Sequence, residues 1–232
     1  MIIAIDGPAG AGKSTIAKQL AQTLGFLYID TGAMYRAATL VAMRESIPFD
    51  SGAAIVRAFD SKGFRFGNST EASGQGQRFF LGNEDITGAI RTPELTKNIK
   101  TVCAQPAVRD RMTALQRDLG GTRDSVLEGR DIGTVVFPNA DVKFYLDASV
   151  SVRAKRRYNE LIAAGRSDVS VGTLETDIRL RDESDMNRTV APLKRADDAE
   201  YVDTSTMSVN DVLRLLTDRV RRRMSQRSAD KS

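Results

Sequence analysis

Histidine is absent from all 232 residues of this chain. That gap excludes an imidazole general base, a Ser/His/Asp triad and any His-ligated metal within it. A single cysteine, Cys103, excludes an internal disulfide and a cysteine-cluster zinc site. Aromatic residues make up only 6%, and the stacking aromatics that bind single-stranded RNA form no recognisable signature. No apolar run approaches the roughly 20 residues of a membrane span. Met1 leads straight into an apolar strand, so no secretory leader is expected either. These absences favour a cytoplasmic protein. Phosphoryl transfer survives all of them, because it relies on positioning and cationic charge.

With 41% hydrophobic residues, the chain can bury one good core and a small appended unit. Its formal net charge is only +4, yet arginines crowd the second half, which suits an anionic small molecule or nucleic acid. The most informative stretch is Gly7-Pro8-Ala9-Gly10-Ala11-Gly12-Lys13-Ser14, a match to Gly-x-x-x-x-Gly-Lys-[Ser/Thr]. Ile2-Ile3-Ala4-Ile5 before it reads as a buried parallel strand. Lys13 to Leu24 after it carries Ile16, Leu20, Ala21 and Leu24 at helical spacing. Glycines let successive N–H groups turn inward around an anion, and the helix adds its positive end. Lys13 then reaches the outer phosphates, and the Ser14 hydroxyl can hold Mg²⁺.

Further along, Phe26–Ile29 reads as a second strand ending in Asp30-Thr31-Gly32. Helical patterns follow through Met43 and again from Asp50 and Ser51. Short strands at Phe64-Arg65-Phe66, Gln77–Leu81 and Asp85-Ile86-Thr87, parted by turns at Gly67-Asn68 and Gly82-Asn83, predict a small antiparallel β insertion. Helices are predicted near 94–103 and 107–119, strands at Ser125–Glu128 and Val142–Leu146, and helices at 151–164 and 171–187. Tyr201-Val202 reads as a last strand, and 209–224 as a last amphipathic helix. This alternation argues for a parallel sheet covered on both faces, with ligands at the strands' carboxyl ends.

Three segments carry polar groups beyond the needs of a core. In Asp30-Thr31-Gly32-Ala33-Met34-Tyr35-Arg36, Thr31 and Arg36 fall at or near a helix start, close to any anion held there; as plain structure, Asp30 and Thr31 are turn and cap residues. Gly129-Arg130-Asp131 follows a strand, where an Arg-Asp pair is either a structural ion pair or a ligand contact. Arg181, Asp185 and Arg188 share one helical face. A surface pair worth about 0.3–0.5 kcal/mol explains the first two and leaves Arg188 unexplained. Arg153, Arg156 and Arg157 also share a face, either a solvated one or that of a lid closing on transferring phosphates.

Taken together, these motifs resemble the nucleoside monophosphate kinases, and specifically the bacterial cytidylate kinases. The resemblance covers nearly the whole chain. It rests on Ile5-Asp6-Gly7-Pro8 and the phosphate loop, Asp30 to Arg36, Gly82-Asn83-Glu84-Asp85-Ile86 with Ile90-Arg91-Thr92, Gly129 to Pro138, and Arg181-Asp182 through Asn187-Arg188. It implies an α/β fold: a three-layer P-loop NTPase core around a parallel sheet, a β insertion in the acceptor-nucleotide region, and a short helical lid. On that pattern the core takes in about 1–32, 104–150 and 168–225, the acceptor region about 33–103 and the lid about 151–167, with 226–232 a disordered basic tail. The resemblance further implies that Gly7, Pro8, Ala9, Gly10, Ala11, Gly12, Lys13, Ser14 and Thr15 hold ATP. Asp30, Thr31 and Arg36 then belong to the acceptor site, where Arg36, Arg130 and Arg188 hold the acceptor phosphate. Arg181 and Asp185 contact the sugar, and Arg109 and Asp131 the base. Lys13, Arg130, Arg188, Arg153 and Arg157 are the implied catalytic cations. Lys100 stands where relatives carry a small hydroxyl residue that helps bind the base; Thr101 beside it can substitute.

The implied partners are ATP with Mg²⁺ and CMP or dCMP, acting on a monomer without nucleic acid or membrane. Two other readings stay open at this level. A P-loop kinase for a hydroxyl acceptor such as shikimate or gluconate would use Asp30 as a carboxylate base. A nucleic-acid-binding module would use the basic helices with Arg219, Arg221, Arg222 and Arg223, and would show a steep salt dependence.

Overall fold

The computed structural model of the chain describes every residue except 68–76, 167–168 and 230–232. In chain order its elements are β1 (Ile2–Asp6), α1 (Lys13–Leu24), β2 (Leu27–Asp30), α2 (Thr31–Arg44), α3 (Gly52–Ser61), β3 (Phe64–Gly67), β4 (Arg78–Leu81), β5 (Glu84–Asp85), α4 (Pro93–Cys103), α5 (Pro106–Gly120), β6 (Ser125–Glu128), β7 (Val142–Asp147), α6 (Val150–Ala163), α7 (Val171–Met186), β8 (Glu200–Asp203) and α8 (Val209–Ala229). They divide into two units, one of Met1–Asp30 with Arg117–Ser232, the other Thr31–Gln116.

In the first unit the apolar runs become one parallel sheet ordered β2-β6-β1-β7-β8. β6 is buried along its whole length and β1 over its last four residues. Both therefore carry consecutive apolar residues, Ile2–Ile5 and Val126-Leu127, because neither face meets water. Ile3, Ile5, Val126, Phe144 and Leu146 pack with Ile16 and Leu20 of α1 and with Val212, Leu216 and Val220 of α8. Each such side chain contributes about 1.5–3 kcal/mol when fully buried. A smaller cluster joins α6 to α7 through Ala154, Leu174 and Ile178.

Every strand of this sheet ends in a carboxylate: Asp6, Asp30, Glu128, Asp147 and Asp203. The register pairs Ile5 with both Glu128 and Phe144, so β6 ends one residue short of Asp6 and β7 runs two residues past it. β1 has a crossover partner on either side, so its carboxyl end is the topological switch point, where open parallel sheets bind ligands. The phosphate loop starts there.

The second unit holds α2, α3, α4, most of α5 and, among the described residues, a three-stranded antiparallel sheet ordered β3-β4-β5. Phe59, Phe64, Phe66 and Phe79 form its aromatic cluster, with ring centroids 5.2–6.4 Å apart. Gly82-Asn83 makes the turn between β4 and β5. The other predicted turn, Gly67-Asn68, extends outside the described residues.

Two boundaries differ from the expectation. The division falls inside α5 rather than at 103/104, because that helix is anchored at both ends. Arg111 pairs with Asp60 at 2.8 Å in the second unit. Arg117 donates to the carbonyls of Val135 and Val136 in the first, at 2.8 Å each. The second difference is at the C-terminus. Residues 226–229, expected in a disordered tail, continue α8. No glycine or proline interrupts this helix, and Arg227 is paired with Asp141 at its far end. The rest of that tail, 230–232, lies outside the described residues, as does residue 167 of the expected lid.

Candidate active site

Strand, loop and helix follow in the predicted order, and the loop's glycines make the geometry possible. Gly12 caps α1 in a left-handed conformation with no side chain satisfying the helix start. The first N–H groups of α1 therefore face the loop's interior, available to an anion. The loop's carbonyls are drawn outward instead. Ala9 O accepts from Arg153 at 3.1 Å, and Ala11 O from the Thr204 hydroxyl at 3.4 Å. Pro8 O accepts from the Lys13 ammonium at 2.7 Å. Ser14 and Thr15 are exposed at the first turn of α1.

Cations of the first unit gather beside this loop. Burial lowers Lys13 to about 7, and the nearby Arg130 and Arg181 push the same way, against Glu128 and Asp6. Asp185 is their common counter-ion. Burial alone would raise its pKa, but Arg130, Arg188 and Arg181 hold it below the ordinary carboxylate value. Arg130 Nε donates to Asp185 at 3.0 Å, and Arg188 lies 3.7 Å from the same carboxylate. Arg188 also donates to Ala191 O at 2.6 Å. Burial would lower the Arg130 guanidinium, yet Asp185, Glu128 and Asp182 keep it raised. Lys13, Arg130, Arg181, Asp185 and Arg188 thus form one cluster, and Asp131, next to Arg130, is buried.

This crowding has a measurable consequence. A polyphosphate favours the charged form of Lys13, so binding ATP at pH 8 should take up close to one proton, read as a buffer-dependent heat in titration calorimetry. Lys13→Met should lose that uptake; a wild-type heat independent of buffer would show that Lys13 is already charged. The same shift acts on stability. The unfolded lysine titrates near 10.5, so burying Lys13 destabilises the fold fully below pH 7, and the penalty fades as pH rises toward 10.5.

The three arginines of α6 separate. Arg153, expected on a mobile lid, is only 4% exposed. It bonds Ala148 O at 2.8 Å, Ala9 O at 3.1 Å and the Asp182 carboxylate of α7 at 2.6 Å. It braces the loop from behind. Arg156 is tied to the Thr204 carbonyl and hydroxyl, at 2.6 and 3.0 Å. Arg157 alone is exposed, paired with Glu160 at 3.0 Å.

In the second unit, Thr31 begins α2 and is buried. Arg36 donates to Ile90 O at 3.2 Å and to the Thr96 hydroxyl at 3.0 Å. Arg109 is buried, with its guanidinium carbon 5.3 Å from the Tyr35 ring centroid and a 3.3 Å bond to Cys103 O. Lys100 is exposed on α4. Asp30, which closes β2, belongs to the first unit.

Sequence reasoning gave no separate role to Asp6, Asp182 or Tyr35. A signal for the first does exist: a carboxylate ending an otherwise apolar buried strand, next to a glycine loop. Among the described residues no group of three or more His, Cys, Asp or Glu could hold a metal unaided, and no helix is long and apolar enough to cross a membrane.

A phosphate loop at the switch point of a parallel sheet, faced by clustered cations, defines a P-loop kinase. Solved structures agree on the fold. A gluconokinase from Sinorhizobium meliloti 1021 is similar at a TM-score of 0.50 and 15% identity, over 99% of this chain and 96% of that one. An uncharacterised protein from Eubacterium ventriosum is similar at 0.51 and 9%, over 95% and 98%. The sequence profile of cytidylate kinases matches residues 3–228. Cytidylate kinases of an Exiguobacterium species and of Shouchella clausii are each 47% identical to it, over 92% and 97% of this chain and 93% and 97% of their own. The chain belongs to the cytidylate kinase family.

Proposed function

We propose that this chain transfers the γ-phosphoryl group of ATP in line to CMP, and also to dCMP, releasing ADP and CDP or dCDP. The observation that carries this reading is the crowding of Lys13, Arg130, Arg181 and Arg188 in a chain without histidine. A monophosphate acceptor has a second pKa of about 6, so its attacking oxygen is largely ionised at pH 7. No general base is then required. What the reaction requires is compensation for two polyanions held end to end.

In this reading the residues from Gly7 to Thr15 take the ATP phosphates, with Lys13 on the outer ones. Arg36, Arg130 and Arg188 hold the acceptor phosphate beside Asp30 and Thr31, and Arg181 and Asp185 hold its sugar. Arg157, exposed and paired with Glu160, acts as the lid cation, while Arg153 keeps the loop in shape. Magnesium fits the donor set: the exposed Ser14 hydroxyl is a hard oxygen ligand, and phosphate and water oxygens complete the shell, as this ion prefers. Held by Ser14 and the nucleotide, it would supply charge compensation to the transferring phosphoryl group. We take the enzyme to be a monomer of the cytoplasm, in keeping with its single cysteine.

Asp131 and Arg109 read the base. An ionised carboxylate only accepts hydrogen bonds, so it suits the cytosine amino group and repels the uracil carbonyl, while Arg109 donates to the ring acceptors. Asp131→Ala should lower kcat/KM for CMP about 10–100-fold and narrow the preference over UMP, with KM for ATP nearly unchanged. Equal damage to both substrates would remove Asp131 from base recognition. The reaction itself is tested by ADP release with CMP, UMP, AMP and shikimate as acceptors. Turnover with shikimate alone would overturn the reading in favour of a hydroxyl acceptor.

A further inference from the structure

We propose that Asp6 positions the Arg130–Asp131 turn, and so sets where these two side chains meet the acceptor nucleotide. Asp6 ends β1 and is 5% exposed. One carboxylate oxygen accepts the N–H of Ile132 at 2.9 Å, and the other that of Gly133 at 2.7 Å. These two amides open the turn Ile132–Val136, which directly follows Asp131.

The turn is unusually wide. Val136 N–H reaches back to Asp131 O at 3.1 Å and Phe137 N–H to Ile132 O at 2.7 Å, each across five residues. Such π-type turns are rare and concentrate at functional sites. Their first N–H groups have no partner inside the turn. Asp6, at the end of the neighbouring strand, accepts from both as a bidentate cap. Gly133 makes room for the Lys143 side chain beside this cap: a Cβ there would stand 3.1 Å from Lys143 Cδ, and 3.4 Å, an ordinary contact, from the Asp6 carboxylate.

Stability alone does not call for this arrangement. Burial pushes Asp6 up to about 6; the two amides and Lys13 lower it, while Asp131 raises it further. Lys143 does not neutralise it, since its ammonium is paired with Asp198 at 2.8 Å. A buried charge at a strand end is expensive. It has a use here because the next residue opens the phosphate loop, so one carboxylate fixes the acceptor-side turn relative to the donor-side loop.

The inference rests on the roles given above to Arg130 and Asp131. It is tested by Asp6→Asn, whose amide keeps the size but turns a donor toward one of the two N–H groups. A misplacement near 1 Å can cost about 10²-fold in rate, so KM for CMP should rise at least about tenfold, with KM for ATP within about twofold. Equal changes in both constants, or no change, would overturn the proposal. Asp131→Ala, assayed for CMP against UMP in parallel, tests the base-reading role separately, so the two ideas fail independently. Should Asp6→Asn not fold, Asp6→Glu keeps the charge and moves it by one methylene. The same split between CMP and ATP is then expected in weaker form, and its absence counts against the proposal.

Discussion

Replacing Arg130 with alanine should lower kcat/KM for CMP by about 10³-fold or more, the scale of losing an arginine that compensates charge on a transferring phosphoryl group. The protein should stay folded. Arg130 and Asp185 are each 18% exposed, so the pair is largely desolvated. Removing one partner of such a pair is destabilising when it strands the other charge. Here Asp185 keeps Arg188 at 3.7 Å and the field of Arg181. The stability loss should therefore lie near the 1–3 kcal/mol of a buried polar group left short of one partner. A 10³-fold loss of rate corresponds to about 4 kcal/mol. Thermal unfolding and ADP release, measured on the same preparation, separate the two effects. A loss of activity under tenfold would remove Arg130 from the acceptor phosphate. Arg130→Lys should fall between, because it keeps the charge without the planar fork. The alanine variant should also take up less of a proton on binding ATP at pH 8, since Arg130 is one of the charges that keep Lys13 low.

Such coupling explains why the carboxylates at the strand ends and on α7 matter. A row of arginines beside a phosphate loop would repel itself in the absence of ligand. Glu128 and Asp6 offset Lys13, Asp185 offsets three arginines, and Asp182 takes Arg153. The edge proposed to bind polyanions is held together beforehand by internal anions. Ligand binding then exchanges partners instead of creating order from nothing, which is the economy of a preorganised site.

Much of this was legible in the chain. The apolar stretches Ile2–Ile5, Val126-Leu127 and Phe144–Leu146 mark β1, β6 and β7, whose faces are covered, and the glycine spacing of the loop states its own geometry. Arg181, Asp185 and Arg188 announce themselves by helical spacing. Other features depend on partners far away along the chain. Nothing local separates Arg153 from Arg156 and Arg157, and only the arrival of Asp182 from α7 decides which of them is buried. Asp6 acquires its role from amides 126 and 127 positions away. The last turns of α8 lose their apolar stripe after Val220, so they read as a tail; an ion pair to Asp141 holds them.

Gly7→Ala should be the most damaging single-methyl change in the phosphate loop. Gly7 has φ of +146°, a region side-chain-bearing residues rarely enter, and an added Cβ would stand 1.9 Å from the Leu146 carbonyl oxygen. That oxygen belongs to the backbone of β7, which is paired with β1 one residue earlier, Asp6 against Tyr145. No side chain can swing away to make room. Either the pairing opens or the loop shifts, at about 1–3 kcal/mol for backbone strain and a similar amount for overpacking. Against a usual domain stability of about 5–15 kcal/mol, the fold can survive, destabilised. The loop's function should not, because its N–H groups would no longer converge on one anion. ATP raises the melting temperature of any protein that binds it in the folded state alone, and the variant should lose that rise while melting several degrees earlier. Gly25→Ala is the control. Gly25 also has positive φ, +70°, but nothing lies within 4 Å of the added methyl. It should cost about 1 kcal/mol as a helix C-cap and leave the ATP-dependent rise intact. An undiminished rise in Gly7→Ala would mean that the Leu146 carbonyl is not the wall that shapes this loop.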